Sequence, residues 1–270
     1  MKVAVLGLGE AGSVLAAGLA QFGDEVHGYD PRPVPAPPGV ERRDTPDAAV
    51  TGCALVLAVV AASQADDALT QVLESLESGA IYADLSTASP GRKEALAERA
   101  AGRAAHFVDV ALMAPVPGRG LAAPALASGS GAAQYAKLIN ARGGQVDVVG
   151  ERAGQAAARK LLRSVVMKGL AALLIESTEA ATHYGQGEWF WNHLVDQLGS
   201  IDEALMERLL FASATHAPRR LEEMEAARDL LTELGVPPLM TTATITHLRR
   251  LLEEGMPEVY RQSSIKPTEG

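Results

Sequence analysis

The chain carries a single cysteine, Cys53, among its 270 residues, so no disulfide can form within it. The surrounding run TGCALVLAVV reads as a buried strand, which makes Cys53 a small core hydrophobe; no residue near it in sequence suggests a nucleophile. Apolar runs are short. None approaches the ~20 residues that a membrane span needs, and the opening MKVAVLGLG is too short and too interrupted by glycine for a signal peptide. A soluble, cytoplasmic protein without a membrane partner is expected. Positive charge is in deficit, with a formal net charge of −9, and such a chain repels phosphate backbones, which argues against nucleic-acid partners. Aromatics are sparse at 4% and charged residues make up 21%, yet 47% of the chain is hydrophobic, so a globular core is available. No metal site is expected.

What is present is an alternation of strand and helix signals through the first half. Lys2 to Leu6 is a short apolar run ended by glycine, as suits a parallel strand covered on both faces. Ala11 to Phe22 is rich in alanine and leucine, as a helix would be, and Glu25 to Tyr29 is a second strand. Strand, helix and strand within about 30 residues make a βαβ unit. Further strands are expected at Ala54 to Val59, Ala80 to Ala83, His106 to Val110 and Gln145 to Val149. Ser63 is read as the cap of a helix running to Leu76, and Pro90 as the first residue of another. The pattern is α/β, a doubly wound parallel sheet over residues 1–150. The proline-rich DPRPVPAPPGV, from Asp30 to Val40, is too short for a domain linker and reads as a stiff surface loop.

The segment GLGEAG joins the first strand to the first helix, with Gly7, Gly9 and Gly12 at the G-x-G-x-x-G positions. Each glycine has its own role between a strand and a helix. Gly7 permits the tight turn, Gly9 lets a pyrophosphate approach the backbone, and Gly12 lets helix pack on strand. The helix N-terminus offers unpaired N–H groups to phosphate. Gly7, Leu8, Gly9, Glu10, Ala11 and Gly12 are thus the expected cofactor loop of a Rossmann domain, with Val59 and Val60 beside it. Asp30 ends the second strand, where a carboxylate takes the ribose hydroxyls and disfavours a 2′-phosphate; Arg32, two residues on, would hold that phosphate instead. The cofactor is NAD or NADP, with NAD slightly favoured.

Strand signals stop after Val149. Residues 151–270 read as all-helical, with one long helix from about Ala153 to His183. Shorter helices follow at Asn192 to Leu198, Ile201 to Ala214, Pro218 to Leu234 and Pro238 to Glu254, then a polar, frayed tail from Met256 to Gly270. At 1.5 Å per residue the long helix spans about 45 Å, more than one monomer easily covers, so a homodimer through this domain is expected. Its first turns read GQAAARKLLRSVVMKG. Lys160, Ser164 and Lys168 recur every fourth residue and share one face, with Arg159 and Arg163 alongside. Such a face is either a solvated basic surface or a lysine aimed at a substrate; a desolvated amine loses its proton more readily and can exchange it with a hydroxyl.

These segments together resemble the β-hydroxyacid dehydrogenases, which include 3-hydroxyisobutyrate and 6-phosphogluconate dehydrogenases. GLGEAGSVLAAGLA is similar to that family's cofactor loop. DLSTASP, from Asp84 to Pro90, is similar to its D-x-S-T-x-x-P segment near the nicotinamide. VDVALMAPVPGRG stands in the place of its substrate segment D-A-P-V-S-G-G, and GQAAARKLLRS resembles its glycine-then-lysine helix. The resemblance implies that Lys160 is the catalytic lysine, that Thr87 lies at the cofactor, and that Ser86, Met113, Pro115, Ser164 and Lys168 lie at a small-molecule substrate. Two departures stand out. Met113, Ala114 and Pro115 replace the family's Ser-Gly-Gly, and Ser164 stands where asparagine is frequent. A subgroup of uncharacterised NAD(P)-dependent oxidoreductases is more similar still, in APVPGRG, in the helix ending Lys168-Gly169, and in HAPRRLEEMEAA with GVPP. Without the serine another group must hold a substrate carboxylate, and Arg119, His216, Arg219 and Arg220 are the candidates.

The reaction these residues imply is reversible hydride transfer between nicotinamide and a small β-hydroxyacid-like alcohol, with Lys160 as general acid and base. Imine reductases share the architecture, act on C=N bonds usually with NADPH, and generally lack the lysine; they are the alternative. A non-catalytic, cofactor-binding protein is the third reading, against which Lys160 and DLST both argue.

Overall fold

Alternating apolar residues build a sheet whose two faces are both covered. The computed structural model describes residues 1–257, apart from the side chains at 208, 212 and 214, and divides into two units, Met1–Ser164 and Val165 onward. In the first unit the chain runs through β1 (Lys2–Leu6), α1 (Glu10–Gln21), β2 (Glu25–Tyr29), β3 (Val40–Arg42), α2 (Pro46–Val50), β4 (Leu55–Ala58) and α3 (Ala65–Val72). It continues through β5 (Ile81–Asp84), α4 (Pro90–Ala101), β6 (His106–Leu112), β7 (Ala125–Ser128), α5 (Ala132–Asn140) and β8 (Val146–Gly150). The strand order is β3-β2-β1-β4-β5-β6-β7-β8, and every pairing is parallel except β6 with β7. Val3, Val5, Leu55 and Leu57 pack on one face with Leu15 and Leu19 of α1. Ala4, Leu6, Val56 and Ala58 pack on the other with Leu69 of α3 and Leu96 of α4. Burial on both faces is what parallel strands require.

Some elements differ from the sequence reading. β3 and β7 were not anticipated: VER is too short to show a period, and ALAS lacks β-branched residues. β7 also makes the sheet mixed. Ser63 does not cap a helix; it sits inside a 3₁₀ turn, Ala62–Gln64, and α3 starts at Ala65 without a side-chain cap. That helix ends at Val72 and closes in a second 3₁₀ turn, Leu73–Ser75, short of Leu76.

The second unit is helical. α6 (Gln155–His183) begins in the first unit and runs into the second, where α7 (Gly187–Gly199), α8 (Glu203–Thr215), α9 (Ala217–Glu233) and α10 (Leu239–Glu254) follow. The unit boundary after Ser164 therefore lies inside the long helix rather than at residue 150, because the first turns of α6 are bonded to the sheet. Ala180, Leu231 and Val236 form a small core in the second unit. Buried Glu176 accepts the N–H groups of Met240 and Thr241, which satisfies the open end of α10. The expected tail from Met256 lies, from residue 258 on, outside the described residues. Among the described residues no helix is long and apolar enough to cross a membrane.

One long-range ion pair closes the first unit. Asp24, just before β2, accepts from Arg142 after α5 at 2.8 Å. The Arg142 guanidinium holds the Asp24 carboxyl below its ordinary value, against the opposing effect of burial. A carboxyl depressed on folding adds stability above its unfolded pKa and loses that stability as pH falls through the folded value. The free energy of unfolding should therefore drop steeply below about pH 4, and the Arg142→Met variant should show a shallower drop in urea titrations at successive pH values. Equal slopes would contradict the assignment.

Candidate active site

Strand register assembles the site. Tyr29, Leu6, Ala58, Asp84, Asp109 and Ser128 are paired neighbour to neighbour, forming one row across six strands. Gly7, Asp30, Val59 and Leu85 each follow a member of this row, so their loops leave the same edge side by side. That edge is the carboxyl end of the parallel strands, and β1 and β4 flank the point where strand order reverses, which is where open α/β sheets bind ligands.

The glycine loop is fixed by backbone contacts. Gly7 has φ +95°, and a Cβ there would lie 2.3 Å from the Val59 carbonyl oxygen; a Cβ on Gly12 would lie 1.8 Å from the Gly7 oxygen. Both positions exclude any side chain. Gly9 caps α1 and differs: its absent Cβ would meet only the Arg32 guanidinium, at 3.7 Å. A side chain there would stand in a cleft of about 310 Å³ lined by Gly7, Gly9, Asp30, Arg32, Val59 and Val60. The residues therefore fit a dinucleotide, with bare backbone where a pyrophosphate needs close approach and open N–H groups at the start of a twelve-residue helix. Leu8 is buried, Ala11 packs on the core, and Glu10 is exposed on the first turn.

Asp30 and Arg32 form one unit. Asp30 is 3% exposed; its carboxylate accepts from the N–H groups of Leu8 and Arg32, at 2.9 Å each, and from Arg32 Nε at 3.1 Å. Burial pushes the Asp30 carboxyl up, but the guanidinium and the two N–H groups outweigh it and keep it below its ordinary value. Arg32 is 68% exposed and faces the cleft.

The DLST segment divides its work. Ser86 is buried, and its N–H and hydroxyl both donate to the Asp84 carboxylate, at 2.9 and 3.0 Å. Ser86, expected at the substrate, thus has its hydroxyl closing a turn inside the fold. Thr87, the next residue, is exposed and accepts from Lys160 Nζ at 3.0 Å. Lys160 is half-buried on the second turn of α6, Ser164 is half-buried one turn further, and Arg163 donates to the Met113 carbonyl at 3.3 Å. Met113 is half-buried, while Pro115 and Arg119 are exposed. In the second unit Lys168 is exposed on α6; His216 caps α9 with Arg219 and Arg220 in its first turn, and Arg220 donates to Ser213 at 2.7 Å. Cys53 is buried, and burial pushes its thiol up to about 11, far from a reactive nucleophile.

Sequence reasoning missed the most buried charges of the region. Lys93 on α4 is 0% exposed; its ammonium donates to the Asp84 carbonyl at 2.8 Å and pairs with Asp84 Oδ2 at 3.0 Å and Asp109 Oδ1 at 3.2 Å. The signal was available: Lys93, Leu96 and Ala100 share the inward stripe of α4, where a lysine is out of place.

The comparisons agree with this geometry. The chain belongs to the family defined by the NAD binding domain of 6-phosphogluconate dehydrogenase, which its residues 2–139 match. Residues 181–251 match a domain family of unknown function (DUF1932). Among curated proteins, an uncharacterized 28.5 kDa protein of Methanothermus fervidus is 25% identical over 173 residues, 64% of this chain; the alignment spans 66% of that relative's length. A solved conserved protein of unknown function, described as structurally similar to 3-hydroxyacid dehydrogenases, is 29% identical over 94% of this chain and 97% of its own, with a TM-score of 0.62. An imine reductase from Aspergillus terreus, solved with NADPH4 and dibenz[c,e]azepine, shares the fold at a TM-score of 0.78, with 22% identity and 94% of each chain covered.

Proposed function

We propose that the protein is a nicotinamide-dependent oxidoreductase of small β-hydroxyacid-like alcohols, in which Lys160 exchanges the hydroxyl proton. The observation that carries this reading is the bond from Lys160 Nζ to Thr87 Oγ1. It puts an amine on the loop that follows β5, at the sheet edge the glycine loop also occupies. When bound, the cofactor supplies hydride transfer to or from carbon. Neutral Lys160 takes the proton as an alcohol is oxidised; protonated Lys160 returns it as a carbonyl is reduced. Thr87 orients the amine, and because it accepts from Lys160 its own hydroxyl proton remains a donor. The Arg163 guanidinium at the Met113 carbonyl puts a cation beside the segment that lacks the family's serine, where a substrate carboxylate would need one.

The same site suggests how the cofactor is chosen. Asp30 is buried and engaged by Leu8 and Arg32, so the exposed Arg32 is the group an adenosine ribose meets first. We read this as favouring NADP over the NAD preference that Asp30 alone suggests. Reduction of a C=N bond is the second reading, favoured by the missing serine and by the imine reductase fold; a panel of cyclic imines against β-hydroxyacids decides between them.

A homodimer completes the reading. α6 leaves Leu162, Val165, Val166, Met167, Leu173 and Ile175 exposed, and α7 adds Trp189 and Trp191. A helix apolar on this scale belongs in an interior. Its stripe, from Leu162 to Ile175, is about 20 Å long at 1.5 Å per residue, longer than a small ligand needs, while a second copy brings the same face to a two-fold contact.

Lys160→Met should lower kcat by about 10²-fold or more while the dissociation constant for NADPH, read by fluorescence, stays unchanged; retained turnover would remove Lys160 from the chemistry. Arg32→Ala should weaken NADPH binding by about tenfold, the loss of one charge-assisted contact, and leave NADH nearly untouched. A larger loss for NADH would return the preference to NAD. Light scattering should give twice the 28.2 kDa chain mass, and Ile175→Glu should halve it; a monomeric parent would end the dimer reading.

A further inference from the structure

We infer that Lys93, Asp84 and Asp109 form a buried ionic latch that sets where Lys160 stands, making all three positioning residues for the proton exchange proposed above. The inference rests on that role for Lys160.

The latch ties down both ends of the Lys160–Thr87 bond. On one side Asp84 receives the Lys93 ammonium on its carbonyl and its carboxylate, and the same carboxylate closes the turn through Ser86, the residue before Thr87. On the other side Asp109 pairs with the ammonium through Oδ1, and its Oδ2 accepts the N–H groups of Gly154 and Ala157, at 3.1 and 2.9 Å. Ser128 donates to Asp109 and accepts from the N–H of Ala156 at 3.0 Å. Three of the amides opening α6 are thus fastened to one side-chain cluster. Lys160 lies one turn beyond them, on the same helical row as Ala156 and Ala157. Gly154 adds a mechanical stop: its φ is +92°, and a Cβ there would come 2.8 Å from the Pro90 carbonyl, so the starts of α6 and α4 are in backbone contact.

Stability alone does not account for this cluster. Removing three charges from water is costly, and an apolar side chain commonly does as well in such a position. An ammonium shared by two carboxylates does what an apolar residue cannot: it holds two chain segments together through charge, with the Asp84 carbonyl adding one hydrogen bond. Two carboxylates against one ammonium also leave a net negative charge beneath the helix start, which complements the positive end of α6.

The test needs no substrate. In the full-length protein, acetylation of Lys160 by an amine-reactive ester is followed by peptide mass spectrometry, with exposed Lys137 as internal reference. Amide exchange is read at Ala156 and Ala157. Lys93→Met and Asp109→Asn should change the relative acetylation rate of Lys160 and speed exchange at those amides by about tenfold or more, as loss of buried bonds implies. Binding of NADPH should stay unchanged. Ser128→Ala removes one neutral group and should show the same effects more weakly; it decides the matter if either charge variant fails to fold. A variant that melts at lower temperature while Lys160 reactivity and both amides behave as in the parent would overturn the inference, because the cluster would then be structural only. Absence of turnover on any substrate would instead remove the role of Lys160 and leave the acetylation result standing.

Discussion

The site depends on one constraint, the register of the sheet. A single row of paired residues, Tyr29, Leu6, Ala58 and Asp84, sets the level at which four parallel strands end, and the glycine loop, Asp30, Val59 and the DLST turn start immediately beyond it. A slip of one residue in any pairing would turn that strand's side chains to the opposite face. Burial of both faces prevents such a slip: Val3 and Val5 must meet α1 while Ala4 and Leu6 meet the opposite layer. Hydrophobic packing far from the cleft thus decides where the glycine loop, Asp30 and Thr87 sit.

Within that frame the region uses two kinds of fastening. The cofactor cleft is backbone against backbone, with Gly7 and Gly12 leaving no room for adjustment. The lysine end is held by buried charge, with Lys93 between Asp84 and Asp109. The first suits a ligand whose shape does not vary. The second fastens the start of α6 without calling on the exposed side chain of Thr87.

Much of this was legible in the sequence. The glycine spacing after an apolar run gave the loop, and the long proline-free stretch after Val149 gave α6, because strong periodicity and backbone-dictated glycine survive tertiary context. β3 and β7 were not legible: three residues show no period, and ALAS gains its strand conformation from its neighbours β6 and β8. Ser63 misled because a serine before a helix usually caps it, whereas here a 3₁₀ turn intervenes. Ser86 and Thr87 look alike in DLST, and only the position of Asp84 shows that one hydroxyl faces inward. The inward place of Lys93 on α4 was legible from its spacing with Leu96 and Ala100, but its partners were not, since Asp84 and Asp109 lie 9 and 16 positions away on two strands.

The Asp30–Arg32 unit bears on how this lineage can change cofactor. Asp30 accepts from the buried Leu8 N–H at 2.9 Å as well as from the arginine. Its removal would therefore loosen the glycine loop itself, at about 1–3 kcal/mol for an orphaned donor. Replacement by alanine or glycine damages binding of either dinucleotide before it alters preference. Asparagine keeps an acceptor for Leu8 and discards the charge, so a drift from one cofactor to the other has a narrow passage through that residue. Descendants of this loop should explore arginine partners freely and the strand-end position hardly at all.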